Sequence, residues 1–439
     1  MQSVHFGRRG ERGQTIILVA VSIVALLAMA ALAIDVVSLY VARTEIQRAA
    51  DAAALAGAKA MADSGITTLP TSDTAFSSGS VQTLAQSMAT AAITAVLASP
   101  NNSVAGFTVA PGSPTFNFSA ASTSTPINNP HVTVTLQQTG LPTFFAHIWG
   151  TRSATATASA TAEAYNPANT ASFTPVAPKG VKPWLVANID PKTSHPFVDP
   201  TTGAVESGLI ANSDFWITAD CQPSPHHHCF ILTAPPGLTG SPPELQYLPA
   251  LVSANTADVC RCRSGNDYED SIQCADMNPY TCGGGATNAQ WDNIDRINPV
   301  GPGSAGAHTF DAVTCLINAG GTGLIQGQDG ITWGSWPTNP IQMTSAATTN
   351  LENTSSSLVA IPIIDVTTPG AFSGTNVTVI GFLQAFVEQI NIPPNTLNQN
   401  DIQIKVVNVV GCSQTSNGAP VIQGGNTSSP IPVRLITPP

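Results

Sequence analysis

The residue types able to do chemistry sit in the middle of the chain. "CQPSPHHHC" runs from Cys221 to Cys229, "CRC" from Cys260 to Cys262, and Cys274, Cys282, Cys315 and Cys412 complete a set of eight cysteines. Thiolates and imidazoles bind zinc, but zinc sites pair them at Cys-x-x-Cys or His-x3-His spacings, and neither occurs here. The even count reads instead as disulfides, each contributing on the order of 2–4 kcal/mol to a Gly- and Asn-rich region with little apolar core. A local ring from Cys221 to Cys229 is one pairing, and the connectivity of the rest stays open. His226, His227 and His228 carry the commonest transition-metal ligand, yet three consecutive loop histidines point apart. "GNDYEDSIQCAD" offers Asp267, Glu269, Asp270 and Asp276 as hard oxygen ligands, without the spacing or closing Glu of an EF-hand. His226, His228, Asp267 and Glu269 are therefore only weak metal candidates. No metal or other cofactor is expected.

Hydrolytic machinery is equally thin. Neither Gly-x-Ser-x-Gly nor His-Glu-x-x-His occurs, and Ser304, His308 and Asp311 lie close in sequence where a triad would be assembled from distant segments. They read better as a Gly- and Ala-lined loop before a short helix. "GPGSAG" lacks the Lys-Ser/Thr of a phosphate loop. No catalytic residue is assigned.

Composition bounds the partners. Only 9% of the 439 residues are charged, with a net charge of −11. That balance excludes nucleic acid, which needs a basic patch, and it is spread too thinly for charge-driven disorder.

The element that must position the rest is at the N-terminus. Thr15 to Ile34 contains no ionisable side chain, and as a helix it spans about 30 Å, the thickness of a bilayer's hydrocarbon core. It runs into Asp35 with no small-residue cleavage site, which predicts a retained transmembrane helix. Arg8, Arg9 and Arg12 crowd the near flank, while Asp35 opens the far one and the next base is Arg43. By the positive-inside rule the N-terminus is cytoplasmic and the rest is exported. All eight cysteines then lie in an oxidising compartment. Val41 to Ala62 is Ala-rich with one Gly, at Gly57, so a single helix from Thr15 to Ala62 is expected, about 70 Å long. Its small residues allow close approach of a neighbouring helix, a plain stalk being the alternative. Asp35 reads either as a partner for a basic or amide group or as a plain interfacial carboxylate.

"RGQTIILVAVSIVALLAMAALAIDVVSLYVARTEIQRAADAAALAGA" (Arg12 to Ala58) combines a basic-Gly-Gln lead, an apolar span, an Asp near its end and the Ala-rich "QRAADAAALAGA". This stretch resembles the N-terminal segment of the TadE/TadG-like proteins of the Tad (tight adherence, or Flp) pilus system. "VTVTLQQTGLPTFFAHIWGTRSATATASATAEA" (Val132 to Ala164), "VKPWLVANID" (Val181 to Asp190) and "VIGFLQAFVEQI" (Val379 to Ile390) are similar to later parts of TadG-like chains. Two features depart from the family. The fifth residue after Gly13 is Leu18 instead of the Glu of prepilin-type substrates, and the Asp-x-Ser-x-Ser site of a von Willebrand A domain is absent. The resemblance implies a non-enzymatic, single-pass protein of the bacterial inner membrane, its bulk periplasmic or extracellular, with other Tad/Flp assembly proteins or pseudopilins as partners. An envelope-anchored adhesin or ligand-binding module is the alternative, and an extracytoplasmic metal enzyme or hydrolase a more distant one.

The expected fold class is α+β. A basic N-terminus (1–14) leads into the transmembrane helix and its extension (15–62), a pilin-like helix-plus-antiparallel-strand module (63–165) and a Pro-rich linker (166–183). A mostly β, disulfide-containing domain (184–439) with a Cys-rich insertion (221–315) follows. Within the first module a polar loop (63–80) precedes an amphipathic helix over Val81–Leu97, with Leu84, Met88, Ala91, Ala92 and Ala95 on one face. Strands are expected at Val104–Val109, Pro114–Ser119, His131–Gln137 and Ala154–Ala164. In the last, "TATASATA" carries small residues on both faces, which predicts a strand packed closely against a neighbour. Ser357–Val366, Thr375–Ile390 and Asp401–Cys412 are β-branched strands of a buried sheet.

Overall fold

The computed structural model describes residues 11–68, 78–99, 107–118, 129–143, 145, 150, 153–166, 176–178, 180–191, 195–206, 214–218, 229–230, 244–250, 259–260, 267–275, 282, 287–290, 305–317, 325–326, 331–332, 342–343, 356–366, 372–373, 376–390, 401–412, 422–423 and 430–436. The apolar run and the Ala-rich run join into one helix, α1 (Glu11–Asp63), unbroken over 53 residues and about 80 Å long. Gly65 stops it. Its φ of 80° is left-handed, and its N–H reaches back to the Ala62 carbonyl at 3.2 Å, a glycine C-terminal stop. The expected polar loop begins differently, with a 3-10 turn at Ile66–Thr68 whose three residues are all buried.

Helix α2 (Ser80–Ala98) lays Val81, Leu84, Ala85, Met88, Ala89 and Ile93 into the core. The expected face was turned too far: Ala91 is exposed and Ala95 half-buried. Burial follows the larger side chains Val81, Leu84 and Ile93, because an alanine methyl gains little from leaving water. Ile93 packs onto α1 at Gly57, where an added Cβ would stand 2.9 Å from Ile93 Cδ1.

Strands β1 (Phe107–Val109), β2 (Thr115–Asn117), β3 (His131–Pro142) and β4 (Ser153–Ala164) form an antiparallel sheet on α1 and α2. In β4, Ala156, Ala158, Ala160 and Ala162 are buried, whereas Thr155, Thr157 and Ser159 are exposed. The buried alanines pack closely on one face, and β3 lies beside the strand as its neighbour. The outer neighbour of β4 comes from the far end of the chain.

Six strands of the remainder close a circuit: β5 (Trp184–Ala187), β6 (Asp214–Thr218), β7 (Glu244–Pro249), β8 (Leu358–Ile364), β9 (Asn376–Ile390) and β10 (Ile402–Gly411). β5 pairs with β7, β7 with β6, β6 with β10, β10 with β9, β9 with β8, and β8 again with β5. Both the β6–β7 and β5–β8 pairs are parallel. Closing the ring leaves these long strands no open edge. Trp184, Phe215, Tyr247, Ile361 and Leu383 share one core with Ile272 of α3 (Asp267–Gln273) and Val313 of α4 (Ala305–Leu316). A second core sets Leu185, Phe382 and Val410 of the ring against Ala62 and Ala164.

After β10 the chain returns to the first sheet, where β11 (Val433–Ile436) pairs antiparallel with β4. Cys412 at the end of β10 is bonded to Cys282, 130 residues away, and Cys274 and Cys315 are also in disulfides. The side chains of Cys221, Cys229, Cys260 and Cys262 lie outside the described residues, so the local ring is not addressed. The architecture is thus a long apolar helix followed by mostly β structure with a disulfide in the C-terminal region.

Gly411 lies under the Gly203 carbonyl, which a Cβ would meet at 2.0 Å. Overpacking against backbone that cannot rotate away costs about 1–3 kcal/mol. Gly411→Ala should lower the unfolding free energy of the detergent-solubilised protein by that amount, seen as a lower urea midpoint by tryptophan fluorescence. An unchanged midpoint would show that the 198–205 turn does not press on β10.

Candidate functional site

Everything functional in the sequence pointed to α1, and its surroundings divide it in two. Ile16, Leu26, Leu27 and Ile34 are more than half exposed, and large exposed apolar side chains continue to Val41. This segment is long and apolar enough to cross a membrane. α2 passes the same test of length and composition, but its apolar stripe lies in the core described above. Beyond residue 42 α1 is a core helix, with Ile46, Ala50, Ala53, Ala54 and Met61 fully buried. The small residues expected to meet a foreign helix therefore meet this chain's own sheet and α2. Of the orienting arginines, Arg8 and Arg9 lie outside the described residues, and Arg12 is in the first turn of α1.

Asp35 is 4% exposed, and its Oδ2 accepts the Phe145 backbone N–H at 3.0 Å. The donor is an amide, as one of the two readings of Asp35 allowed, but one of the backbone. It is 110 residues away, beside the β3–β4 connection, and no local pattern announces it. The rest of the "TFFAHIWG" stretch lies largely outside the described residues.

At the far end, α1 is tied to the ring through buried polar groups. Asn408 on β10 donates from Nδ2 to the Ala62 carbonyl at 2.8 Å and to Gln384 Oε1 at 2.6 Å. Gln384, its cross-strand partner on β9, donates to Asp63 Oδ1 at 3.1 Å. The other carboxylate oxygen of Asp63 takes Lys59 Nζ at 2.6 Å. Thr67 Oγ1 reaches Asn408 Oδ1 at 3.4 Å. Asn166 donates to the carbonyls of Thr67 and Val409 at 3.0 and 3.2 Å, so one side chain bridges both modules. Gln384 and Asn408 are both 0% exposed, which makes every one of these bonds expensive to leave unmade.

A second clamp holds β11. Arg434 Nη2 and Nε reach Glu163 Oε1 at 2.5 and 2.7 Å, His131 Nε2 lies 3.2 Å from Glu163 Oε2, and the guanidinium lies over the Tyr165 ring at 4.3 Å. Burial alone would raise the Glu163 carboxyl. Hydrogen bonds and charge from His131 and Arg434 outweigh it and hold the group below its ordinary value.

The chemical candidates are not assembled. His308 Nδ1 pairs with Glu269 Oε1 between α4 and α3, Asp311 is exposed, and Ser304 lies outside the described residues, as do His226, His228 and the side chain of Asp267. Tyr247, Tyr268 and Thr309 share hydroxyl contacts of 3.1–3.5 Å. Lys182 donates to the Ile272 and Cys274 carbonyls at 2.7 and 2.8 Å, holding α3 onto the ring. Among the described residues no three His, Cys, Asp or Glu side chains are gathered to hold a metal ion.

Residues 13–60 match a family model described as putative Flp pilus-assembly TadE/G-like. Residues 13–60 form a TadE/G-like segment. The matched residues are the membrane-length part of α1 and most of its buried half. No curated protein and no solved structure matches the chain. TadE/G-like proteins are pilus-assembly components and not an enzyme family, and the match supports a part for this chain in Flp pilus assembly.

Two outcomes follow. Asn408→Leu keeps the branching and the number of side-chain heavy atoms but strips the donors from the Ala62 carbonyl and Gln384 Oε1, at about 1–3 kcal/mol for each group left unmet. Denaturant unfolding should show a loss of that size, and Asn408→Asp should recover little of it. Glu163, with its folded pKa depressed, adds stability that is complete above the unfolded carboxyl value near ~4.3 and is lost as pH falls through the lower folded value. Hydrogen exchange at residues 433–436 should accelerate across that acid window relative to the ring strands. Glu163→Gln should remove the pH dependence.

Proposed function

We propose that this protein is a membrane-anchored, non-enzymatic component of Flp pilus assembly that fixes a rigid extracytoplasmic body to the inner membrane. The observation that carries the reading is the TadE/G-like match over residues 13–60 on the same helix whose lipid-length apolar surface runs to Val41. Arg8, Arg9 and Arg12 keep the N-terminus cytoplasmic, and the disulfide-bearing body lies outside, where Cys282–Cys412 persists. The pilin-like module of residues 63–165, with β11 added, is the part that meets pseudopilins or other assembly proteins. The ring is the scaffold that reaches outward. The function is mechanical: a helix gripped at its outer end by buried hydrogen bonds passes force between bilayer and body without bending at the junction.

The test is the amount of Flp pilin in the sheared surface fraction of a deletion strain. Pilin should be lost on deletion and return with the full-length gene, while the protein itself stays with the membranes after shearing. An Asp35→Ala variant should restore pilin less well, since it removes the acceptor of the Phe145 N–H. Unchanged pilin in the deletion strain would sink the assembly role, and release of the protein with the fibres would point to a tip adhesin instead.

A further inference from the structure

Helix α1 is a ruler along which the depth of every packed neighbour can be read. Its first flanking base is Arg12 and its next is Arg43, about 46 Å apart at 1.5 Å per residue, close to the 40–45 Å of a bilayer with its headgroups. Asp35 lies eight residues short of Arg43, about 12 Å toward the membrane. The helix past Asp35 is still apolar and bare: Val36, Val37 and Tyr40 are 57%, 61% and 72% exposed. Taken alone, Asp35 would be a carboxylate at the acyl boundary, which is costly without a partner.

Its partner is known. Strand β3 runs antiparallel to α1, as three contacts show. Val132 lies beside Gly57, Gln47 Nε2 donates to Ser159 O at 3.1 Å one strand over, and the Phe145 N–H reaches Asp35. From Gly57 to Asp35 the helix descends about 33 Å, and the twelve residues of β3 cover a similar length at about 3.3 Å each. The lower end of the first sheet therefore reaches the level of Asp35, below that of Arg43. At that end Pro142 is exposed, Leu141 and Phe145 are half-buried, and from Leu141 to Gly150 the sequence "LPTFFAHIWG" carries no Asp, Glu, Lys or Arg. An uncharged, partly exposed apolar strand end at this depth meets lipid without burying a charge.

We propose that the lower end of the β3–β4 pair, at Leu141, Pro142 and Phe145, is a second membrane contact, seated at the headgroup–acyl boundary of the leaflet on the Asp35 side, with lipid as its occupant. The Phe145 N–H satisfies the Asp35 carboxylate, and in return Asp35 fixes the depth and rotation at which the sheet meets the bilayer. With Val36, Val37, Tyr40 and Val41 of α1 also exposed, the protein meets lipid through a helix and a sheet end at the same depth. This rests on α1 being a membrane span.

The test uses the full-length protein in phosphatidylethanolamine–phosphatidylglycerol vesicles with photoreactive benzoylphenylalanine placed at one position at a time. Pro142 and Phe145 are the test positions, and a side-chain change at Phe145 leaves its donating N–H in place. Leu27 in the span and Leu435 at the far end of the sheet, 65% and 43% exposed, are the references. Adducts to lipid, identified by mass, should form at Leu27, Pro142 and Phe145, with the last two about tenfold above Leu435 as expected for an interfacial site. Lipid adducts at Leu27 with only the Leu435 level at both test positions overturn the proposal while leaving the span intact. Failure at Leu27 as well removes the span reading and the proposal with it. Protein adducts in place of lipid at Pro142 and Phe145 would assign this end to a protein partner and also overturn it.

Discussion

The donor pair on Asn408 is the contact on which the architecture turns. One buried amide serves the last carbonyl turn of α1 and the cross-strand Gln384, and Gln384 in turn holds Asp63. In water such bonds would be nearly neutral. Away from solvent, with both amides fully buried, leaving any of them unmade would cost more than making them gains. That asymmetry sets direction as well as strength: a helix that slid or rotated by one residue would face Gln384 with an alanine instead of Asp63. The apolar layer of Ala62, Ala164, Leu185, Phe382 and Val410 excludes the water that would otherwise replace these partners. Hydrophobic burial thus holds the two modules together, and the polar groups specify their register.

Three long-range closures make the rest one body. Parallel β5–β8 and β6–β7 pairs seal the ring, the disulfide ties the end of β10 to Cys282, and β11 returns to the sheet on which α1 lies. Each joins residues far apart in sequence, so each carries a loop-closure cost that local structure does not offset. Cys282–Cys412 shrinks that cost in the unfolded chain. Arg434 and Glu163 guard β11 with charge where its four residues bury little.

Legibility in the sequence follows the range of the interactions. Continuous local patterns were readable: α1 to within a few residues, the three buried strands of the C-terminal region, and the alternation in β4. The rotation of α2 was missed because alanine and isoleucine count alike in a pattern but not in burial energy. Asp35 stood out by type and position, yet its partner is a backbone N–H that no side-chain pattern reveals. The Cys282–Cys412 pairing, the closed ring and the Arg434–Glu163 clamp were illegible for one reason, since a pairing across hundreds of residues leaves no trace in the spacing of either member. The histidines and carboxylates that drew attention by type gained no partners that would make them a site among the described residues.

The place where the family match ends has a physical counterpart. Residues 13–60 hold the apolar span and the alanines that meet α2 and the first sheet. The hydrogen bonds to the ring come from Ala62, Asp63 and Thr67, just past that limit. Up to residue 60 most side chains of α1 lie either on its exposed apolar surface or against an alanine-lined core, and both ask for small or apolar groups at helical spacing. Asp35 and Gln47 depart from this, each with a hydrogen bond to the first sheet or its connection. From Ala62 onward the backbone carbonyl, the carboxylate and the hydroxyl must meet donors and acceptors of one particular sheet. The apolar run and the attachment to the ring are therefore written into successive stretches of the same helix.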